Sequence, residues 1–269
     1  MQRHWDQEPC ESRAGKTALN RRKFFEEIDA YRDSTSPFIA KFARFEAARG
    51  QRVLEIGLGS GSDFMRWARA GAELSGVDLT ATSVALCRER LELEGLAADV
   101  RVGDAEQLEF PDATFDLVYS YGVIHHSPNT ERIVEEIRRV LKPGGTARVM
   151  IYNARGLSIA YQWLLHAVLK KCQPWKSPRE IVYYHNESLG TKLYSRREAK
   201  TLFSSFAACH VRTVVDSGDT LNFQLSARYR DDAVIRAAFR MFWFLKHARP
   251  LIPGRLGTTM LIEATKPLA

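Results

Sequence analysis

Between Gln51 and Asn153 the chain alternates short apolar runs with amphipathic segments, and this rhythm limits its folding more than any other feature. "QRVLEIG" has the period of a buried strand, "SDFMRWARAG" that of a helix ending in glycine, and "AELSGVDL" is a second strand. "TATSVALCRERLELEG" is a helix with Thr80 placed to cap its start and Gly95 to close its end, and "ADVRVGD" is a third strand. The cycle then repeats. "FDLVYSYG" is a nearly continuous apolar strand, "TERIVEEIRRVLKPGG" an amphipathic helix stopped by Pro143 and Gly144, and "TARVMIYN" another strand. Strands that are apolar on both sides and separated by single helices predict a parallel sheet covered on both faces, with right-handed crossovers.

Size and composition fit one large α/β unit with additions: 269 residues, 45% of them hydrophobic, bury a substantial interior. Charge is unevenly spread. Residues 1–50 carry a net +2, residues 51–150 a net −5 and residues 151–269 a net +10. An acidic middle followed by a basic block fits a cofactor-binding centre and a later part that meets an anionic partner or simply solvates itself. The N-terminal stretch "MQRHWDQEPCESRAGK" lacks the apolar segment of a secretory signal, so a cytoplasmic location is expected. Cys10, Cys87, Cys172 and Cys209 are far apart, which indicates neither a zinc site nor a disulfide framework.

The first strand runs into "EIGLGSG". A dinucleotide fingerprint needs glycines at relative positions one, three and six; here they stand at Gly57, Gly59 and Gly61, and position six is Ser62. A strand ending in Glu55 and followed by GxGxG instead resembles the class I S-adenosylmethionine-dependent methyltransferases, of the small-molecule type that includes ubiquinone, menaquinone and secondary-metabolite enzymes. Further segments carry the resemblance in order. "GVDLT" puts Asp78 and Leu79 at the end of the second strand, "VGDAEQLEF" puts Asp104 and Ala105 after the third, and "FDLVYSYGVIHHSPNT" with "RVLKPGG" is similar to the fourth strand and following helix of that family. The close resemblance covers residues 50–152.

The resemblance implies S-adenosylmethionine as cofactor and a Rossmann-like, doubly wound sheet of seven strands, mostly parallel, with an antiparallel last strand. It also implies roles. Glu55 holds the loop and orients the methionine amino group, Gly57 and Gly59 keep space for the methionine part and ribose, and Gly61 belongs to the same cofactor-binding loop. Asp78 with Leu79 takes the ribose, Asp104 with Ala105 reads the adenine edge, and Ser120 lies at the fourth strand's end; Tyr31 in the N-terminal segment could close over the cofactor. The expected organisation is an N-terminal helical cap (1–50) lying against the sheet edge, a cofactor-binding core (51–152), a helical insertion on the acceptor side (153–194), and completion of the sheet with a second helical insertion (195–269).

An activated sulfonium needs an acceptor lone pair held in line and shielded from water, so a base is optional. His125 and His126, on the loop after the fourth strand, are the candidate bases, and Tyr121 is an alternative polar contact; Asp116 is a strand-start residue. "YSYG" stands where amino-group DNA methyltransferases carry (N/D)PPY, no cysteine occupies a nucleophile position, and "HHSPN" offers too few oxygen ligands for magnesium, so no metal is expected. The helical "GLSIAYQWLLHAVLKKC" is the better lid candidate. "YYHNESLGTKLYSRREAKTLF" places Tyr183, Tyr184, His185, Lys192 and Tyr194 either toward the acceptor or in a solvated loop before a helix capped by Ser195. In "DDAVIRAAFRMFWFLKHARPLIPG", Arg236 and Arg240 share one face while Phe239, Phe242 and Trp243 crowd another, which fits core packing, a lid, or a peripheral contact with anionic lipid. The reading is a methyltransferase with a small, apolar or aromatic acceptor and no nucleic-acid partner. Its alternatives are action on RNA or protein through the basic block, and a methyltransferase-like binding protein without chemistry.

Overall fold

The computed structural model describes residues 20–185, 189–221 and 251–268, together with 232, 233, 236, 237 and 240. Seven strands form one sheet: β1 (Arg52–Ile56), β2 (Glu73–Asp78), β3 (Asp99–Val102), β4 (Phe115–Tyr121), β5 (Leu141–Tyr152), β6 (Ala208–Val214) and β7 (Thr259–Thr265). Their order is β3-β2-β1-β4-β5-β7-β6. β1 to β5 pair in parallel and β7 runs antiparallel between β5 and β6, as the resemblance implied. Helices α3 (Ser62–Arg69), α4 (Ala81–Glu94) and α5 (Thr130–Val140) link the parallel strands. Thr80 caps α4 through its hydroxyl and Gly95 closes it in the left-handed conformation, as read from the sequence. Helix α5 stops earlier than expected. Leu141 already pairs with Phe115 in the sheet, and Pro143 and Gly144 lie in an irregular stretch before pairing resumes at Leu117 and Thr146.

Two apolar layers cover the sheet. One joins α5 and α8 (Arg196–Leu202) to the face carrying Leu54, Ile56 and Val118; the other gathers Phe64, Trp67 and Tyr119 with Ile39, Phe42 and Phe45 of the N-terminal segment. That segment is helical, α1 (Arg21–Thr35) and α2 (Ile39–Ala43), but the expected position at the sheet edge is corrected. Helix α1 crosses α3 and α4, held by Arg21–Glu89, Arg66–Asp33 and Arg90–Asp29 ion pairs, because its charges match those two helices and not a strand edge. The insertion consists of α6 (Leu157–Trp163), a π-helical continuation Leu164–Leu169, and α7 (Pro178–His185), which the sequence reading did not separate from the following loop. Ser195 caps α8 and closes a capping box with Glu198. Most of the segment 231–254, including Phe239, Phe242 and Trp243, lies outside the described residues.

Candidate functional site

The strand order reverses between β1 and β4, and the crevice at the carboxyl ends of these strands is where open α/β sheets take ligands. The expected residues gather there by topology: Glu55 in β1, the glycine loop after it, Asp78 at the end of β2, Asp104 after β3, Tyr121 at the end of β4, and His125 and His126 in the turn after it. Gly57, Gly59 and Gly61 all have positive φ, at 81°, 54° and 81°, a region in which any other residue is strained. The reason for glycine at position 57 differs from the expected one. A Cβ there would lie 2.1 Å from a Val123 methyl, so the space it would take belongs to the β4 loop.

Asp78 holds the loop in shape. One carboxylate oxygen accepts from the Leu58 and Gly59 amides at 2.7 and 3.3 Å, and the other from the Thr80 amide and hydroxyl at 2.9 and 2.7 Å. Those bonds use the four lone-pair positions a carboxylate offers. Asp104 is more open: one oxygen accepts from the Glu106 amide at 2.9 Å and the side chain stands exposed, while Ala105, next to it, and Leu79, next to Asp78, are half-buried. Ser120 donates to the Ile56 carbonyl at 3.0 Å and is fully buried, so its hydroxyl joins β4 to β1 inside the sheet.

Behind the loop lies a charged cluster that sequence reading missed. Asp63, in the first turn of α3, is buried and accepts from Arg32 Nε at 2.9 Å, from Arg32 Nη2, and from the Tyr119 hydroxyl at 2.7 Å. Burial works against its charge, but the Arg32 guanidinium and the hydrogen bonds hold its carboxyl below the usual range. Glu55 is pushed well above that range by burial and then by the Asp63 charge, and its Oε2 is buried with no hydrogen-bond partner. The shared environment thus favours the charge on Asp63 and disfavours it on Glu55. The Arg32 guanidinium also lies 4.9 Å from the centre of the Tyr121 ring, whose phenol is pushed up by burial. The cap therefore reaches the loop through Arg32, the neighbour of half-buried Tyr31. Arg32 and Asp63 stand 31 positions apart with no motif linking them; only the unusual carboxylate just after the glycines signals the pair.

The two histidines lie in a 3-10 turn (Ile124–His126) and are both buried. His126 Nδ1 is 3.0 Å from the Thr191 hydroxyl. His125 packs its ring 4.2 Å from that of Tyr152, and neither of its nitrogens has a hydrogen-bond partner. Burial, then the neighbouring His126, holds its pKa well below the ordinary value, so the ring is neutral. The last residues of the insertion close over this turn: the Lys192 amide donates to the His125 carbonyl at 2.9 Å and Lys192 Nζ to the Pro128 carbonyl at 2.7 Å.

A doubly wound sheet with an antiparallel strand beside β5, and a glycine loop at its switch point, defines the class I methyltransferase architecture. Residues 54–149 match the family model described as a methyltransferase domain, and the core of this chain is a class I S-adenosylmethionine-dependent methyltransferase domain. Over 110 residues the chain is 37% identical to a phosphatidylethanolamine N-methyltransferase of Cereibacter sphaeroides, covering 40% of this chain and 54% of that protein. Over 98 residues it is 40% identical to phthiotriol/phenolphthiotriol dimycocerosates methyltransferase 1 of Mycobacterium ulcerans (strain Agy99), covering 36% and 35%. The chain thus spans about half or less of the length of these relatives. Among solved structures, a chain in the complex of the Haloferax volcanii Trm112 methyltransferase activator superposes with a TM-score of 0.60 at 20% identity, over 89% of this chain and 92% of that one. The [4+2]-cyclase SpnF superposes at 0.56 with 19% identity, over 91% and 82%. A cyclase on the same fold shows that the sheet alone does not fix the chemistry.

Proposed function

We propose that this protein transfers a methyl group from S-adenosylmethionine to a small apolar or lipid-like acceptor. The observation that carries the reading is the loop at the switch point: three left-handed glycines, pinned by Asp78, beside a buried Glu55 oxygen that has no partner. A buried orphan acceptor is costly, and the ammonium of the methionine part would satisfy it. In this reading Glu55 orients that ammonium, Asp78 and Leu79 flank the ribose, and the free side of Asp104, with Ala105, meets the adenine edge. When bound, the cofactor supplies an electrophilic methyl for in-line displacement. The chain's own work is to position the acceptor and exclude water. His125, with both nitrogens unpartnered, is the candidate to take a proton from a hydroxyl acceptor, against a burial that lowers its pKa and weakens it as a base; His126, tied to Thr191, orients the turn. Relatives whose names specify lipid acceptors support the choice of acceptor class.

One observation favours a second reading, a binding protein that no longer uses the cofactor: every acceptor position of Asp78 is already engaged within the chain. Calorimetric titration separates the two. Micromolar binding of S-adenosylmethionine and S-adenosylhomocysteine with none of NADH is expected. Because burial raises the Glu55 pKa and an arriving ammonium would lower it again, binding should release a proton wherever Glu55 carries one, and the heat is then expected to depend on the ionisation enthalpy of the buffer, more so as pH is lowered. Absence of binding by either compound would favour the second reading.

A further inference from the structure

Large apolar side chains exposed to solvent are unevenly distributed over the described surface. Leu93, Val102, Leu251 and Leu268 stand singly, whereas Leu164, Leu169, Trp175, Tyr183, Tyr184 and Leu189 all belong to the insertion, with Trp175 75% exposed, Leu189 62% and Leu169 59%. Isolated exposed leucines need no explanation, but a concentrated set that includes a tryptophan does. Among the described residues the insertion's apolar cluster is small, Ile159, Val182 and Leu193 packed against Tyr152 and Ala154, and the large side chains of the exposed set lie outside it.

Contacts within the insertion bring much of this set together. His166 and His185 stack with ring centres 4.6 Å apart, and Lys171 Nζ lies 3.2 Å from His185 Nε2, which places Leu169 and Lys171 beside the end of α7 carrying Tyr183 and Tyr184. The Gly190 amide donates to the Tyr183 carbonyl and brings Leu189 to the same end. Trp163 Nε1 donates to the Lys176 carbonyl at 2.7 Å and anchors the turn that carries Trp175. Charge adds a second, independent signal. Residues 155–192 hold six Lys or Arg against two acids; Lys170, Lys176 and Arg179 are ion-paired with Asp232, Glu180 and Glu198, and Arg155, Lys171 and Lys192 make no ion pair with a described acid. Tryptophan and tyrosine beside lysine is the composition that settles at the headgroup level of a bilayer, where rings enter the boundary and ammonium groups meet phosphates.

We propose that the insertion, through Leu169, Trp175, Tyr183, Tyr184 and Leu189 with Lys171 among them, docks the protein on an anionic phospholipid surface. No described helix is long and apolar enough to cross a membrane, so the contact is peripheral. Docking does not depend on which cofactor the loop holds. Its link to the acceptor rests on the methyltransferase reading: the residues that close the insertion, Thr191 and Lys192, lie directly on the His125–His126 turn, so a docked insertion sets the mouth of the site at the lipid surface.

Sedimentation of the full chain with vesicles tests this, using phosphatidylcholine alone and phosphatidylcholine with added phosphatidylglycerol. Binding to the anionic vesicles is expected, weakened at least about tenfold by the double variant L169S/W175S, since withdrawing even part of two large apolar groups from the boundary costs this much. Reversing Lys171 to Glu is expected to weaken binding to the anionic vesicles alone. The replaced side chains are exposed, so both variants should melt with the wild type and bind S-adenosylhomocysteine as it does, which separates failure of docking from failure of the cofactor reading. Absence of wild-type sedimentation, or sedimentation that L169S/W175S leaves unchanged, would overturn the proposal. So would dimerisation, or binding of polyuridylate, that L169S/W175S abolishes while vesicle binding persists.

Discussion

Replacing Arg32 by methionine tests the charged cluster behind the glycine loop. The Asp63 side chain is 2% exposed and Arg32 12%, and they share two hydrogen bonds, with a third from Tyr119. Methionine keeps most of the apolar stem and removes the guanidinium, which leaves a buried anion beside buried Glu55. Breaking a buried pair from one side costs about 3–5 kcal/mol. Arg66 also favours the Asp63 charge, so the lower end, about 3 kcal/mol, is expected. With a urea slope of about 3 kcal/mol per molar for a chain of this size, the midpoint should fall by roughly 1 M. The double variant R32M/D63N removes the orphaned charge and should recover most of the loss. The pH dependence follows from the sign of the shift: Asp63 is depressed in the fold, so its contribution is present above the ordinary carboxylate range and is lost as pH falls through its folded value. The gap between wild type and R32M should therefore narrow in acid. A loss below about 1 kcal/mol for R32M at neutral pH, or a double variant no better than the single one, would refute the account.

Glycine 57 and glycine 95 both have positive φ, but a Cβ at Gly95 meets nothing within 4 Å whereas one at Gly57 meets Val123. G95A should cost about 1–2 kcal/mol and G57A about 1–3 kcal/mol more, with V123A recovering the excess in the double variant; equal losses in thermal unfolding would show that the crevice is not closed there. Asp216 is half-buried beside buried Asp219 and accepts from the Thr259 hydroxyl, and desolvation followed by the Asp219 charge pushes it up to about 6. A raised carboxyl stabilises the fold fully below its unfolded pKa, and that contribution disappears as pH rises through about 6. The wild type should thus lose on the order of 2 kcal/mol between about pH 4 and 8 that D216N does not lose, measured as unfolding midpoints across that range; parallel curves would contradict the assignment.

What the sequence revealed and what it hid have different physical origins. Periodicity and caps are local, so β1 to β4, the helix from Thr80 to Gly95 and the Ser195 cap could be read directly. The end of α5 depended on a distant strand: Leu141 continues the helical pattern, yet burial against Phe115 draws it into β5. The glycines were legible as left-handed positions, but the neighbour that excludes a side chain at Gly57 comes from residue 123. Arg32, Asp63 and Asp216 were invisible because a charged residue's burial is decided by tertiary packing, and here each is matched with a partner from another element or turn. Tyr121 and the histidines were placed at the correct strand end, while Ser120, one residue earlier, faces the sheet interior, as the two-residue alternation of a strand requires.

The position of β7 has a consequence for the order in which the protein comes together. β6 pairs with no strand but β7 among the described residues, and β7 follows it only after residues 215–258, so β6 leaves synthesis with its ladder partner still unmade. Until β7 slots between them, β5 and β6 each present an open edge to other chains, and closing so long a connection is slow compared with the local β-α-β steps. Assembly should therefore proceed in two kinetic stages, an early parallel half carrying the glycine loop and a late antiparallel seam. The interval between them is when newly made chains are most prone to aggregate.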